Sequence, residues 1–199
     1  MKQVALASAL LTVLIWASPP VFAAPSVAEV LEQARAKSRD LEELKKVLNG
    51  PDANMRLATF EVMVDSGDET MRELAIDSGL ASTDAMMQAL AMKAIVLAQK
   101  SLSLSLEVDT SQAEEMQSRA KAYLEKNGSL YQAKITGVEA KDGVFKMSQY
   151  QGQVTGNQVN FTNGYDKGTL TLEDEATLKG PVTLYKGGYS GFIATWKVR

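Results

Sequence analysis

The sequence predicts an α+β fold in which a stack of helices is followed by an antiparallel β-meander. Apolar residues recur at helical spacing over residues 26–99. Over residues 101–108 apolar and polar residues alternate, which is the period of a strand with one buried face. Beyond Ser129, glycine, threonine and aromatic residues become frequent, and turn signals such as Asp142-Gly143 separate short apolar runs. Such a meander either packs on the helices as a sheet or curls into a small barrel.

The first 23 residues have the pattern of a secretory signal peptide. Lys2 supplies the positive start, residues 4–17 the apolar run, and Val21-Phe22-Ala23 the cleavage site. The apolar run is shorter than the roughly 20 residues that cross a bilayer. We therefore expect cleavage after about Ala23 and no stable membrane anchor afterwards. The periplasm is the predicted location, with the extracellular medium as the alternative.

The rest of the chain divides by pattern into three parts. Residues 24–100 form a helical, repeat-like domain, residues 101–128 a strand and a connecting helix, and residues 129–199 an antiparallel β domain.

Composition excludes several classes of function. The chain has 21 Lys and Arg against 24 Asp and Glu, so it lacks the basic excess that drives binding to nucleic acid. It contains neither histidine nor cysteine, which rules out Ser-His-Asp and Cys-His catalysis and the usual zinc sites. We therefore expect a non-enzymatic protein with no catalytic residues, no cofactor and no metal.

Capping signals predict the positions of the first helices. Ser26 with Glu29 opens a first helix that ends near Lys37, and Asp40 with Glu43 opens a second.

The next helices are predicted from caps and stops in the same way. Asp52 caps a third helix that closes near Gly67, and a fourth ends at Ser78-Gly79. Residues 82–99 are predicted to form the longest helix.

The second half begins with the alternating strand 101–108. Ser111 with Glu114 then predicts a helix that ends at Asn127-Gly128. Six strands are expected after it, at residues 131–138, 144–150, 153–161, 168–172, 177–185 and 192–198. In the last strand, one face carries Phe192, Ala194, Trp196 and Val198.

Two helical units look like copies of each other. Placing residues 48–64 over residues 80–96 aligns Asp52 with Asp84 and Met55 with Met87. A repeat of this length is typical of helix-pair solenoids. Residues 51–58 resemble the HEAT-like repeat family, in which an aspartate opens the second helix of each pair and a basic residue and an alanine follow.

This resemblance covers about residues 39–99, and it implies a protein-binding scaffold rather than an enzyme. An ordinary helical bundle is the alternative interpretation.

Two chemical interpretations compete with simple packing and solvation. The methionines at positions 55, 63, 71, 86, 87 and 92 offer thioether ligands for Cu(I), but their helical spacing favours packing in a core. Acidic groups around Asp68, Glu114 and Asp174 offer paired carboxylates for cell-wall hydrolysis. Since these acids lie at predicted turns and helix starts, solvated surface is favoured.

Aromatic residues are concentrated in the β domain. Tyr165 and Tyr189 fall in predicted loops, where packing explains them least, and they are our first candidates for partner contacts, followed by Tyr185 and Tyr150. The leading hypothesis is a periplasmic protein that binds another protein, for example an inhibitor or immunity protein. The alternative is an apolar or lipid ligand in a cavity lined by Trp196 and Phe192, and the second alternative is the carboxylate-dependent hydrolase.

Overall fold

The computed structural model describes residues 26–174, 176–185 and 190–199, and in this part of the chain it contains five α-helices and nine strands. The α+β fold predicted from the sequence is confirmed. The helices are α1 (Val27–Leu48), α2 (Ala53–Asp65), α3 (Glu69–Leu80), α4 (Ala85–Leu97) and α5 (Glu114–Asn127). The strands are β1 (Ser101–Val108), β2 (Leu130–Lys134), β3 (Gly137–Glu139), β4 (Val144–Met147), β5 (Tyr150–Thr155), β6 (Gln158–Asn163), β7 (Asp166–Asp174), β8 (Thr177–Leu184) and β9 (Ser190–Lys197). The predicted signal peptide lies outside the described residues.

Contacts divide the chain into two units, one that ends at Ser38 and one that begins at Arg39. In the first unit, the predicted capping box is confirmed. The Ser26 backbone N–H donates to Glu29 Oε2 at 2.7 Å, and the Glu29 N–H donates to Ser26 Oγ at 3.3 Å. The predicted helix end near Lys37 is wrong, because α1 continues without a break to Leu48. No proline or glycine interrupts it, so Asp40 lies inside the helix instead of capping a new one.

Helices α2 and α4 repeat each other at the predicted offset. Each has 13 residues, and each is capped by an aspartate. Asp52 Oδ1 accepts from the Asn54 and Met55 N–H groups, and Asp84 Oδ1 accepts from the Met86 N–H at 2.9 Å. Membership of the HEAT-like family stays a prediction.

An ion pair joins the two copies. Arg56 of α2 donates from Nη2 to Asp84 Oδ2 at 2.5 Å and from Nη1 to the Gly50 carbonyl at 2.9 Å. This pair holds the pKa of Asp84 below its usual value, with the Arg56 hydrogen bond as the main cause.

Two other helix predictions are wrong. The helix expected at residues 82–99 is α4, and with 13 residues it is shorter than the 22-residue α1, since Asp84 rather than Ser82 is its cap. The stop expected at Gly79 is absent, because α3 runs through it to Leu80. A Cβ at Gly79 would lie 2.7 Å from Ala91 Cβ, so the glycine permits close packing of α3 on α4 instead of ending the helix.

The nine strands form one antiparallel sheet in the order β2-β1-β9-β8-β7-β6-β5-β4-β3. Strands β2 and β3 lie at opposite edges, yet only Ile135 and Thr136 separate them in sequence. A flat sheet of nine strands would place these edges about 38 Å apart, whereas a two-residue connection spans only about 10 Å. The sheet therefore curls into a half-barrel. The sequence left open whether the meander packs on the helices or curls into a small barrel, and the structure combines the two, because the curled sheet also packs on helices.

Glycines covered by phenylalanine rings line the inner face of the curl. Gly152 pairs with Phe161, and Phe161 pairs with Gly168. A Cβ at Gly152 would lie 2.1 Å from the Phe145 ring, and one at Gly168 would lie 2.5 Å from the Phe161 ring. Because glycine has no side chain, the aromatic rings at these positions can pack directly on the backbone.

Strand predictions fail where the chain turns sharply. The expected strand 131–138 is split into β2 and β3, and the expected strand 153–161 contains a hairpin turn between β5 and β6. Gly156 occupies that turn with φ of +58°, a left-handed conformation that favours glycine. The strand at residues 101–108 is confirmed as β1.

A continuous hydrophobic core joins helices and sheet within residues 39–199. Buried side chains of α2, α3 and α4, such as Phe60, Ile76 and Met92, belong to the same cluster as those of the inner sheet face. Helix α5 packs on β1 and β9, and α4 packs on β5. The four residues predicted to share one face of the last strand, Phe192, Ala194, Trp196 and Val198, are all buried, so that face points into the core.

A buried carboxylate fixes the loop between β1 and α5. Asp109 accepts hydrogen bonds from the Ser111 N–H at 3.0 Å, the Ser111 hydroxyl at 2.6 Å and Gln112 Nε2 at 2.9 Å. The predicted capping of α5 by Ser111 is therefore wrong, because its hydroxyl bonds to Asp109, and Ala113 occupies the cap position. The Ser111 and Gln112 side chains lower the pKa of Asp109 from its ordinary value.

Replacing Asp109 with asparagine is expected to destabilise the protein at neutral pH. An amide retains one acceptor oxygen, and its NH₂ group opposes the Gln112 donor, so the expected loss is about 1–3 kcal/mol. Because the folded pKa is lowered, the stabilisation exists above the unfolded pKa of about 4 and disappears as the pH falls through the folded value. Urea denaturation from pH 7 to pH 3 should show a smaller acid-induced loss for D109N than for the wild type. D142N, at an exposed position, is the control.

Candidate contact surface

Two tyrosines stack on each other at one end of the sheet. Tyr165 lies in the β6–β7 turn and Tyr185 directly follows β8. Their ring centroids are 4.7 Å apart, with 36° between the ring planes. Tyr165 is 69 % exposed and Tyr185 is 48 % exposed. An exposed pair of large apolar rings on adjacent strand ends offers a contact area in water.

Hydrogen bonds to Asp166, the residue after Tyr165, hold the backbone that carries this pair. Asp166 Oδ1 accepts from the Tyr185 N–H at 2.8 Å, and its Oδ2 accepts from the Tyr131 hydroxyl at 3.3 Å. The Tyr131 hydroxyl also accepts from Asn163 Nδ2 at 2.9 Å. The network therefore joins the end of β8 and the β6–β7 turn to β2, which the curl of the sheet brings within reach.

Tyr131 remains a phenol over the physiological range. Burial raises the pKa of its hydroxyl to about 12, and the neighbouring Asp166 carboxylate adds to the rise while the Asn163 hydrogen bond opposes it. A protonated hydroxyl donates to Asp166 and accepts from Asn163 at the same time, so the network needs no proton transfer. The arrangement suits a rigid support rather than acid-base chemistry.

Of the other two candidate contact residues, one lies beside the pair. Tyr150 opens β5 and is half-buried, and its hydroxyl accepts from Gln149 Nε2 at 2.9 Å. A Cβ at Gly164 would lie 3.5 Å from this hydroxyl, so Tyr150 borders the β6–β7 turn. Tyr189 lies outside the described residues. We call the surface formed by Tyr150, Tyr165 and Tyr185 the tyrosine edge.

Sequence reasoning missed the residues that support this surface. Asn163 and Asp166 flank the Gly164-Tyr165 turn, and a tyrosine between such polar residues in a predicted hairpin is a signal that was available. The role of Tyr131 was not predictable, because its contacts connect residues more than 30 positions apart and depend on the curl.

The residues predicted for a ligand cavity belong to the core. Phe192 is fully buried with its ring centroid 5.3 Å from that of Tyr123, and Trp196 is 1 % exposed with its centroid 6.4 Å from that of Phe145. Both side chains fill space between the sheet and the helices.

Several of the candidate copper and carboxylate residues have structural roles. Met63, Met87 and Met92 are buried in the core as their helical spacing predicts, whereas Met55 and Met86 are exposed, so the prediction that they pack in a core is wrong for these two. Asp68 caps α3 by accepting from the Thr70 N–H at 2.8 Å. Asp174 accepts from the Ala176 N–H at 3.1 Å, which is the main reason that its pKa is lowered. Within the described ranges, no group of three or more acidic residues is arranged to hold a metal ion.

Comparison with protein-family models, with curated proteins and with solved structures finds no match for this chain. Among the described residues, no helix is both long and apolar enough to cross a membrane.

Proposed function

We propose that this chain is an exported, non-enzymatic binding protein of the periplasm and that the tyrosine edge contacts a protein partner. The observation that carries the proposal is the exposed stack of Tyr165 and Tyr185, held in place by Asp166. Tyrosine is enriched in protein interfaces because it buries a large area at small cost in conformational entropy.

Rigid positioning supports this use of the surface. Tyr165 lies just before β7 and Tyr185 just after β8, which are central strands of the sheet, and the partly buried hydroxyl of Tyr131 helps to hold the β6–β7 turn. Pre-organised side chains lose little freedom on binding, so more of the contact energy contributes to affinity. An inhibitor or immunity protein against an enzyme that acts in the periplasm is one form of this function, since it needs a rigid surface and no catalysis.

The helical repeat adds a scaffold to the proposal. The resemblance of residues 39–99 to HEAT-like repeats implies a protein-binding role, and the matching caps at Asp52 and Asp84 are consistent with stacked copies. Under this proposal, the helices support the sheet from its inner side, and the tyrosine edge makes the contact.

Photo-crosslinking in the producing cell tests the proposal. A benzoyl-phenylalanine introduced at Tyr165 is expected to yield one dominant crosslinked protein. The matched control carries the same group at Val62, which is 71 % exposed on α2 and lies outside the tyrosine edge. Equal adducts from both positions, or none from position 165 in the periplasmic fraction, would contradict the proposal.

A further inference from the structure

The outer face of the sheet carries a groove of about 610 Å³ over β5–β8. Strand pairing defines its first wall, since Gln151 pairs with Thr162, Thr162 with Lys167, and Lys167 with Thr183. These four residues form one row across four strands, all with outward side chains.

The second wall lies two residues further along each strand. Gln153 pairs with Asn160, Asn160 pairs with Thr169, and Pro181 continues the row on β8. The Thr169 hydroxyl donates to Asn160 Oδ1 at 2.7 Å, which fixes the amide so that its NH₂ group points away from that bond.

Bare backbone forms the floor between the walls. Gly152, Phe161 and Gly168 are paired across the strands, and the Phe161 side chain points into the core. The floor therefore has no side chain on its outer surface. From strand geometry the trough is about 7 Å wide and about 14 Å long, which accommodates a narrow linear chain of a few units.

The lining is rich in hydroxyl and amide groups and poor in charge. Each hydroxyl and each amide both donates and accepts hydrogen bonds. Among the described residues of the lining, Lys167 is the one charged side chain. A polyanion needs several cations and a metal ion needs carboxylates, so this lining is complementary to a neutral or weakly acidic chain of hydroxyl groups.

We propose that this trough binds a linear oligosaccharide strand that runs across β5–β8. A peptide fits less well. Extended peptides bind sheets by adding to a free strand edge, whereas β5 to β8 are interior strands whose backbone groups pair with their neighbours. The walls instead present two polar side chains on each of β5, β6 and β7 and one, Thr183, on β8, and a polyhydroxylated chain bonds to them along its length. The trough is separate from the residues of the tyrosine edge, and this site does not depend on the proposed protein partner.

Binding measurements on the chain without its predicted signal test this site. The probes are linear oligosaccharides of three to eight sugars, both neutral and uronic-acid-containing, together with soluble peptidoglycan strands. We expect binding, with NMR shifts at the Gln153 and Asn160 side-chain amides. T162W places an indole in the trough and should weaken binding at least about tenfold. T155W, also exposed on the outer face of β5 but outside the lining, is the control and should bind like the wild type.

Three results would overturn the inference: no probe binding at about 10 mM, binding that T162W leaves unchanged, and binding of neutral extended peptides in place of the oligosaccharides. Because T162W does not alter the tyrosine edge, crosslinking from position 165 distinguishes failure of this site from failure of the proposed protein contact.

Discussion

Replacing Trp196 with alanine is expected to lower the free energy of unfolding by about 3–5 kcal/mol. The indole is 1 % exposed and lies in the core between the curled sheet and the helices, with its ring beside Phe145. Its removal leaves a large cavity that the packed neighbours on β4 and β8 fill only in part. A loss of this size is a large fraction of the 5–15 kcal/mol that is typical of a folded domain.

Urea denaturation followed by circular dichroism measures this loss. T195A, on the outer face of the same strand, is the control and should change the free energy of unfolding by less than about 0.5 kcal/mol. Because one core joins helices and sheet within residues 39–199, helix signal and sheet signal should disappear in a single transition. Separate transitions for the two signals would show that the core is divided. A W196A loss below about 1 kcal/mol would contradict the close packing of the indole in that core.

The G180A substitution is expected to destabilise the protein by about 3 kcal/mol or more. A Cβ at this position would lie 2.1 Å from the carbonyl oxygen of Thr169 and 3.1 Å from the Leu170 Cα. Both atoms belong to the backbone of the neighbouring strand, so no rotamer change relieves the overlap. To accept the methyl group, β7 and β8 must move apart and lose hydrogen bonds in the centre of the sheet.

A second strand glycine provides the control for G180A. At Gly137 of β3, the nearest atom to an added Cβ is Lys146 Cδ, 4.0 Å away. G137A should therefore change the melting temperature little, while G180A lowers it strongly or prevents folding. Similar melting temperatures for the two variants would contradict the close approach of the β7 backbone to Gly180 of β8.

Local patterns in the sequence were sufficient for elements whose ends are marked by strong caps or regular alternation. Asp52 predicts the start of α2, and the alternation at residues 101–108 predicts β1. Predictions failed where a local signal competes with its context. Asp40 has the form of a cap but lies in an unbroken run of good helix formers, and Gly79 has the form of a stop but lies where α3 packs on Ala91.

The contact surface was predictable only in part, for a related reason. Tyr165 stands out in the sequence because a large aromatic residue in a polar turn has no obvious packing role. Its stack with Tyr185 and the support from Tyr131 depend on the order and curl of the strands, which pair residues far apart in sequence. The trough on the outer face likewise emerges only when the register of four strands is known.

The affinity of the Y165A/Y185A double variant for the protein crosslinked from position 165 tests the central claim most directly. If the tyrosine edge is the contact surface, these two side chains are interface hot spots of about 2 kcal/mol each, and the double variant should bind roughly a thousandfold more weakly. The matched control, V62S/M86S, removes two exposed apolar side chains from the helices and should bind within about threefold of the wild type. An unchanged affinity for Y165A/Y185A, with its circular dichroism spectrum intact, would contradict the account.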